Sequence, residues 1–311
     1  MKVKDLIERY GPVVSAVLAN VPEAFVGNGN VWFVDSGNAN ATDANDGIHG
    51  HTPDLPLATI HYANQLCTAS QGDTILVAAG HTEAVADSDE LELDVAGVTV
   101  QGYGSGSLIP TVTLGTATDA AIAVSAPNVT IRGIKVISDL ENMAAGITLS
   151  ALADGAVIEN CIISDGAADK ELIIGISVTA ACNNVTIRNN RFLTTDGGGC
   201  ASAVKFVGAS NDSVIEDNVI YGDYSAAALD LATAASTRIV VRRNLIRNAD
   251  TTASFAVDCH ANTTGWLADN YCATEGGAHG DAIATADMAC AGNLASGADG
   301  AQGIAEPGVD T

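Results

Sequence analysis

An apolar residue, two variable residues and an asparagine recur five times, ending at Asn190, Asn218, Asn244, Asn270 and Asn293. The asparagines stand 28, 26, 26 and 23 residues apart. A period this short excludes an ordinary globular domain and points to a solenoid, where each repeat packs only on its neighbours. Earlier segments keep the register without the asparagine: VQGY ends at Tyr103, IRGI at Ile134 and IENC at Cys161. Upstream of each lies another short strand, with first inward residues Ile122, Ile147, Ile176, Val204, Leu229, Val257 and Ile283. A third strand follows the asparagine. Three phase-locked strands per period predict an all-β chain, a right-handed three-sided parallel β-helix of about eight to nine coils.

Side chains alternate in and out along a strand, so the register names the core. One inward row reads Ile131, Ile158, Ile187, Ile215, Val241, Leu267; another reads Val136, Ile163, Phe192, Ile220, Ile246, Cys272. The recurring asparagines predict a ladder in the tight turn between the second and third strands. There amides stack along the axis, and Asn tolerates left-handed backbone. An outward row, Arg132, Glu159, Arg188, Glu216, Arg242, alternates in sign from coil to coil. Parallel stacking brings such neighbours within reach, so this reads as a charge ladder.

Composition fits a narrow bore: 47% of residues are hydrophobic but only 4% aromatic. Asp and Glu outnumber Lys and Arg 37 to 13, a net charge of −24, which repels nucleic acid and anionic membrane surfaces. Seven cysteines, an odd number with no CxxC, read as reduced core residues of a reducing compartment. The first 25 residues form an amphipathic pattern interrupted by Asp5, Glu8 and Arg9, which argues against a signal peptide.

The chain divides into an N-terminal helix and linker that docks elsewhere (1–30), a capping strand, loop and helix (31–72), the β-helix (73–295) and an extended C-terminal tail (296–311). A helix before the first coil would close the open bore.

Candidate sites follow from the outward rows. Lys205, Asp230, Asp258 and His260 form one polar cluster on adjacent coils of the first strand. If the chain is an enzyme, these are its catalytic residues, with carboxyls near the ~5 Å spacing of a retaining glycosidase. A plain Lys–Asp contact explains them equally well. The third strand's outward positions include Ile137, Ile162, Leu193, Val219, Tyr221, Leu245 and Tyr271, too apolar for a solvent face. They read as an interface, most simply a homotrimer around a threefold axis. Asp43, Asn45 and Asp46 resemble the start of a calcium loop, without its closing Glu. A hydrogen-bonded Asx turn is the plainer reading, and no cofactor is expected. His49, His51, His61 and His81 cluster in sequence near the cap and invite comparison with a zinc site, though polar loop histidines are the plainer reading.

FVDSGNANATDANDG, TPDLPLATIHYANQL and GDTILVAAGHTEAV resemble the opening of right-handed β-helix proteins of the pectate-lyase-like superfamily. The resemblance extends over residues 31–295 as a fold. It implies no single activity, since the superfamily holds lyases, hydrolases, epimerases and inert structural proteins. The NTD, DD, GHG and RIK motifs of polygalacturonase-like hydrolases are missing. GHTE at residues 80–83 resembles phage virion proteins of the tailspike-like and capsid-decorating kind. That resemblance implies a non-enzymatic virion protein, made in the host cytoplasm and partnered by others such as the major capsid protein. The alternative is a polysaccharide lyase or glycosidase acting on surface glycans.

Overall fold

The structure, a computed structural model, describes residues 29–304 apart from 168, 195–198 and 253–254. The expected N-terminal docking helix and the last residues of the tail lie outside these. Three sheets wind around one bore. The second sheet has ten strands, from Val31–Val34 to Ala289–Ala291. The first has eight, from Leu91–Leu93 to Ile283–Ala284, and the third has ten, from Thr82–Val85 to Gln302–Ile304. The chain is a three-sided parallel β-solenoid.

The register follows the repeat. Ile122, Ile147, Ile176, Val204, Leu229, Val257 and Ile283 pair in succession along the first sheet. The inward row from Ile131 to Leu267 continues upstream to Val100 and Ile75 and downstream to Cys290. Strands of three to five residues cannot stand alone. Stacking lets each coil satisfy the backbone groups of the next, while its inward aliphatics leave water at roughly 1.5–3 kcal/mol per side chain.

The ladder turn is held by buried amides. Asn218 Oδ1 accepts the backbone N–H of Asn190 at 2.9 Å. Its Nδ2 donates to Ile187 O and Asn244 Oδ1, at 2.9 and 3.0 Å. Asn244, Asn270 and Asn293 repeat the pattern. The left-handed residue, however, is the one before each ladder asparagine: Asn189, Asp217, Arg243 and Asp269 have φ between 53° and 57°, and Gly292 has φ 67°. Asn and Asp adopt that region at least cost. Arg243 is the less ordinary occupant, and its guanidinium is tied to Asp217 and Glu216.

The ends depart from the simple division of the chain. Val31–Val34 pairs in parallel with Thr74–Val77, so it is the first strand of the second sheet as well as part of the cap. Residues 302–304 of the tail turn back and pair antiparallel with Leu294–Ser296. The capping helix, α1 (Ile60–Leu66), buries Ile60 and Ala63 in the core.

Candidate functional site

Lys205, Asp230 and Asp258 occupy one register column on the outer face of the first sheet. Lys205 Nζ donates to Asp230 Oδ2 at 2.6 Å, and Asp230 is 6% exposed. Asp230 Oδ1 accepts from the backbone of Ala232. Asp258 is half-buried, and burial, reinforced by the Asp230 charge, raises its carboxyl above the usual range. One carboxylate is thus tied to an ammonium while its neighbour is biased toward holding a proton. A glycosidase divides acid and base between two carboxyls in the same way. His260 lies just past the strand, where its Nδ1 accepts the backbone N–H of Asn262.

On the outer face of the second sheet, Arg132, Glu159, Arg188, Glu216 and Arg242 lie one coil apart in direct register. Glu159 bridges Arg132 at 3.3 Å and Arg188 at 2.6 Å, and Glu216 meets Arg242 at 2.6 Å. A parallel row of ions, Asp212–Arg238 and Asp217–Arg243, runs beside it. These arginines serve the wall of the solenoid.

On the third sheet Val219, Leu245, Tyr271 and Leu294 form one unbroken outward column, each 40% or more exposed. Ile304 faces its end across the antiparallel pair, and Tyr221 lies beside it under the guanidinium of Arg247. Ile137, Ile162 and Leu193 lie further toward the N-terminal end and are half-buried. Sequence reasoning missed Leu294 and Ile304, since the column was followed only to Tyr271. It also missed Trp266, which is exposed on the second sheet.

The GHTE segment has a local structural task. Glu83 accepts the N–H of Ile60 at 2.8 Å and, more loosely, that of His61, at the start of α1. His81, fully buried, accepts the Ser36 N–H on Nδ1 at 3.0 Å. Its Nε2 therefore carries the proton, directed at Glu83 Oε2 3.2 Å away. Asp43 accepts from Ala58 N, Thr59 N and Thr59 Oγ1. Asp46 accepts from Ile48 N and His49 N, which with the His49 ring hold its carboxyl far below the usual range. Asn45 is exposed between them. The four histidines have separate partners: His49 has Asp46, His51 stacks on Trp32, His61 has Gln65 and His81 has Glu83. Among the described residues no group of three or more His, Cys, Asp or Glu converges in a way that could hold a metal ion.

All seven cysteines are free, and five are buried. Burial pushes the thiols of Cys161, Cys259 and Cys272 up to about 12. Thiols so protected stay reduced in either kind of compartment, so they do not report where the protein resides.

No curated protein matches the chain. Among solved structures, a GH136 lacto-N-biosidase from Eubacterium ramulus is similar over 85% of this chain and 67% of that one. Its identity is 12% and its TM-score 0.24, a likeness that carries no argument. One family model, NosD, described as periplasmic copper-binding protein, matches residues 68–273. A periplasmic family overturns the expected virion location, which had rested on GHTE together with the expected lack of a signal peptide. GHTE is accounted for by the helix anchor at Glu83. The matched span is two thirds of the chain and includes most of the coils, and on that ground the chain belongs to the NosD family.

Proposed function

We propose that the protein is a non-catalytic β-helix scaffold, periplasmic and copper-handling as its family is described, that associates with copies of itself along the third sheet. The exposed column Val219–Leu245–Tyr271–Leu294 carries this reading. Four stacked coils give an apolar strip about 15 Å long at the ~4.8 Å strand spacing. Its neighbours Arg191 and Arg247 are exposed, giving the apolar core and polar rim of a specific interface. A solenoid presents a long flat face, and three such faces pack around a threefold axis. Light scattering of the full chain should give a trimer. Val219→Asp with Leu245→Asp should give a monomer of unchanged circular dichroism, because both side chains point outward. A monomeric wild type at micromolar concentration would defeat the proposal.

A second reading rests on the first sheet. The Lys205-held Asp230 beside a raised Asp258 is suited to acid–base work on a glycan. Incubation with acidic and neutral polysaccharides tests it. Depolymerisation abolished by Asp230→Asn or Asp258→Asn would replace the scaffold reading with an enzymatic one.

A further inference from the structure

The loop after the first strand of the second sheet closes back on that strand. Phe33 donates to Gly50 O and accepts from Leu57 N, both at 2.8 Å. Pro53 and Pro56 of this loop, with Phe33 and Leu76 of the sheet, line a cavity of about 250 Å³. Phe33 and Leu76 stand side by side in register. Just past the strands, Asp35, Ala78 and Tyr103 follow one another on successive coils: Ala78 N donates to Val34 O and Tyr103 N to Val77 O, both at 2.9 Å. Asp35 and Tyr103 thus stand about 10 Å apart along the axis at ~4.8 Å per coil, and the small side chain of Ala78 leaves space between them. Among the described lining residues only Asp35 and Tyr103 carry polar side chains. Asp35 is half-buried, and its Oδ1 accepts Gly37 N at 3.0 Å. The Tyr103 hydroxyl is buried and has no hydrogen-bond partner among the described residues. Burial pushes this phenol up to about 12, so it stays neutral.

We propose that this cavity binds a small organic cation, an apolar ring or short branched chain bearing one ammonium group. The prolines and aliphatics take the apolar body, and Asp35 takes the ammonium. Tyr103 offers an aromatic face and a hydroxyl whose unpaired state a ligand would relieve. The size suits one ring with a short arm, since an apolar cavity of about 150 Å³ already holds benzene. A sugar would leave most of its hydroxyls unpaired against this lining. An anion would meet Asp35 and a chain of net charge −24, which draws cations instead. The site lies on the second sheet and does not depend on association along the third.

The test is calorimetric titration of the full chain with phenethylamine, phenethyl alcohol and hydrocinnamate, which share a ring and differ in charge. Phenethylamine should bind one per chain, at least tenfold tighter than the alcohol, and hydrocinnamate should not bind. Asp35→Asn keeps an acceptor for Gly37 N and loses only the charge. It should remove the preference for the amine and leave the alcohol unchanged. Leu76→Trp should fill the cavity and abolish binding of both, with circular dichroism unchanged. Asp230→Asn, on the first sheet, should bind as wild type does. No binding at millimolar phenethylamine would overturn the site. Equal affinity for amine and alcohol would overturn the choice of a cation. An amine preference that survives Asp35→Asn, or that falls equally in Asp230→Asn, would show attraction to the acidic chain at large and overturn the site as well.

Discussion

At its N-terminal end the bore is closed by α1, and polar groups hold that helix in place. Glu83 takes its leading N–H groups, Asp43 holds the Ala58–Thr59 segment that leads into it, Thr59 caps it through Tyr62 N, and buried His81 fixes Glu83. At the C-terminal end no helix covers the bore among the described residues. There the columns shrink to cysteine, and a short antiparallel strand ends one sheet out of three. A solenoid must stop its stack somewhere. This one spends buried hydrogen bonds at one end and leaves small, polarisable side chains beside a cavity at the other. The first solution is rigid and costly to damage. The second leaves a cavity of about 370 Å³ lined by Phe255, Cys259 and Ile283 among others.

Glu83→Ala should show the largest effect. It removes the acceptor of Ile60 N–H and strands the Nε2–H of a fully buried histidine. Each buried group left unpaired costs about 1–3 kcal/mol, so a total loss of about 2–6 kcal/mol is expected in chemical denaturation. A loss under 1 kcal/mol would show that the anchor is incidental and would remove the contrast between the ends.

Asn293→Ala should cost less, about 1–2 kcal/mol, and act locally. It deprives Asn270 of an acceptor and Leu267 of a donor, but in the last ladder position, with no further ladder asparagine stacked beyond it. Hydrogen exchange should quicken over residues 283–296 and stay unchanged around Asn190. Uniform acceleration along the stack would mean that the two ends unfold as one unit.

Asp258→Asn should have the smallest effect, with opposite sign. Its carboxyl is raised by burial and by Asp230, so the folded chain holds this proton more tightly than the unfolded chain does. Stability is therefore lost as pH rises from the ordinary carboxylate value of 3.8 through the raised one. Asparagine carries no charge at any pH. The variant should melt slightly higher at pH 7, by well under ~1 kcal/mol for a half-exposed group, and match wild type below pH 3.8. A lower melting point at pH 7 would point to an unseen partner for the charge.

The repeat made much of this legible from the start. Ile187 and Ile215 are one period apart in sequence and stacked in space, because a parallel solenoid converts sequence spacing directly into register. The charge row was readable for the same reason. The corner was read one residue out of place: the asparagine turns inward to bond, and the residue before it takes the left-handed backbone. Pattern alone does not separate those tasks, since Asn suits both. Cys259, Cys272 and Cys290 each read as a small core residue, and the 3.6 Å contact of Cys259 with Met288, between successive coils and off the repeat, is visible only in the structure.

By itself, then, the sequence determined the coil: its period, its inward aliphatics, its ladder and its alternating charges. All are contacts between neighbours one repeat apart, where local spacing dictates the partner. Tertiary structure decided what lies off that period. It made GHTE a helix anchor, continued the apolar column to Leu294 and Ile304, set Asp258 against an already paired Asp230, and brought Met288 against Cys259. These depend on which groups meet at the ends and across the faces, where no repeat exists to specify the partner in advance.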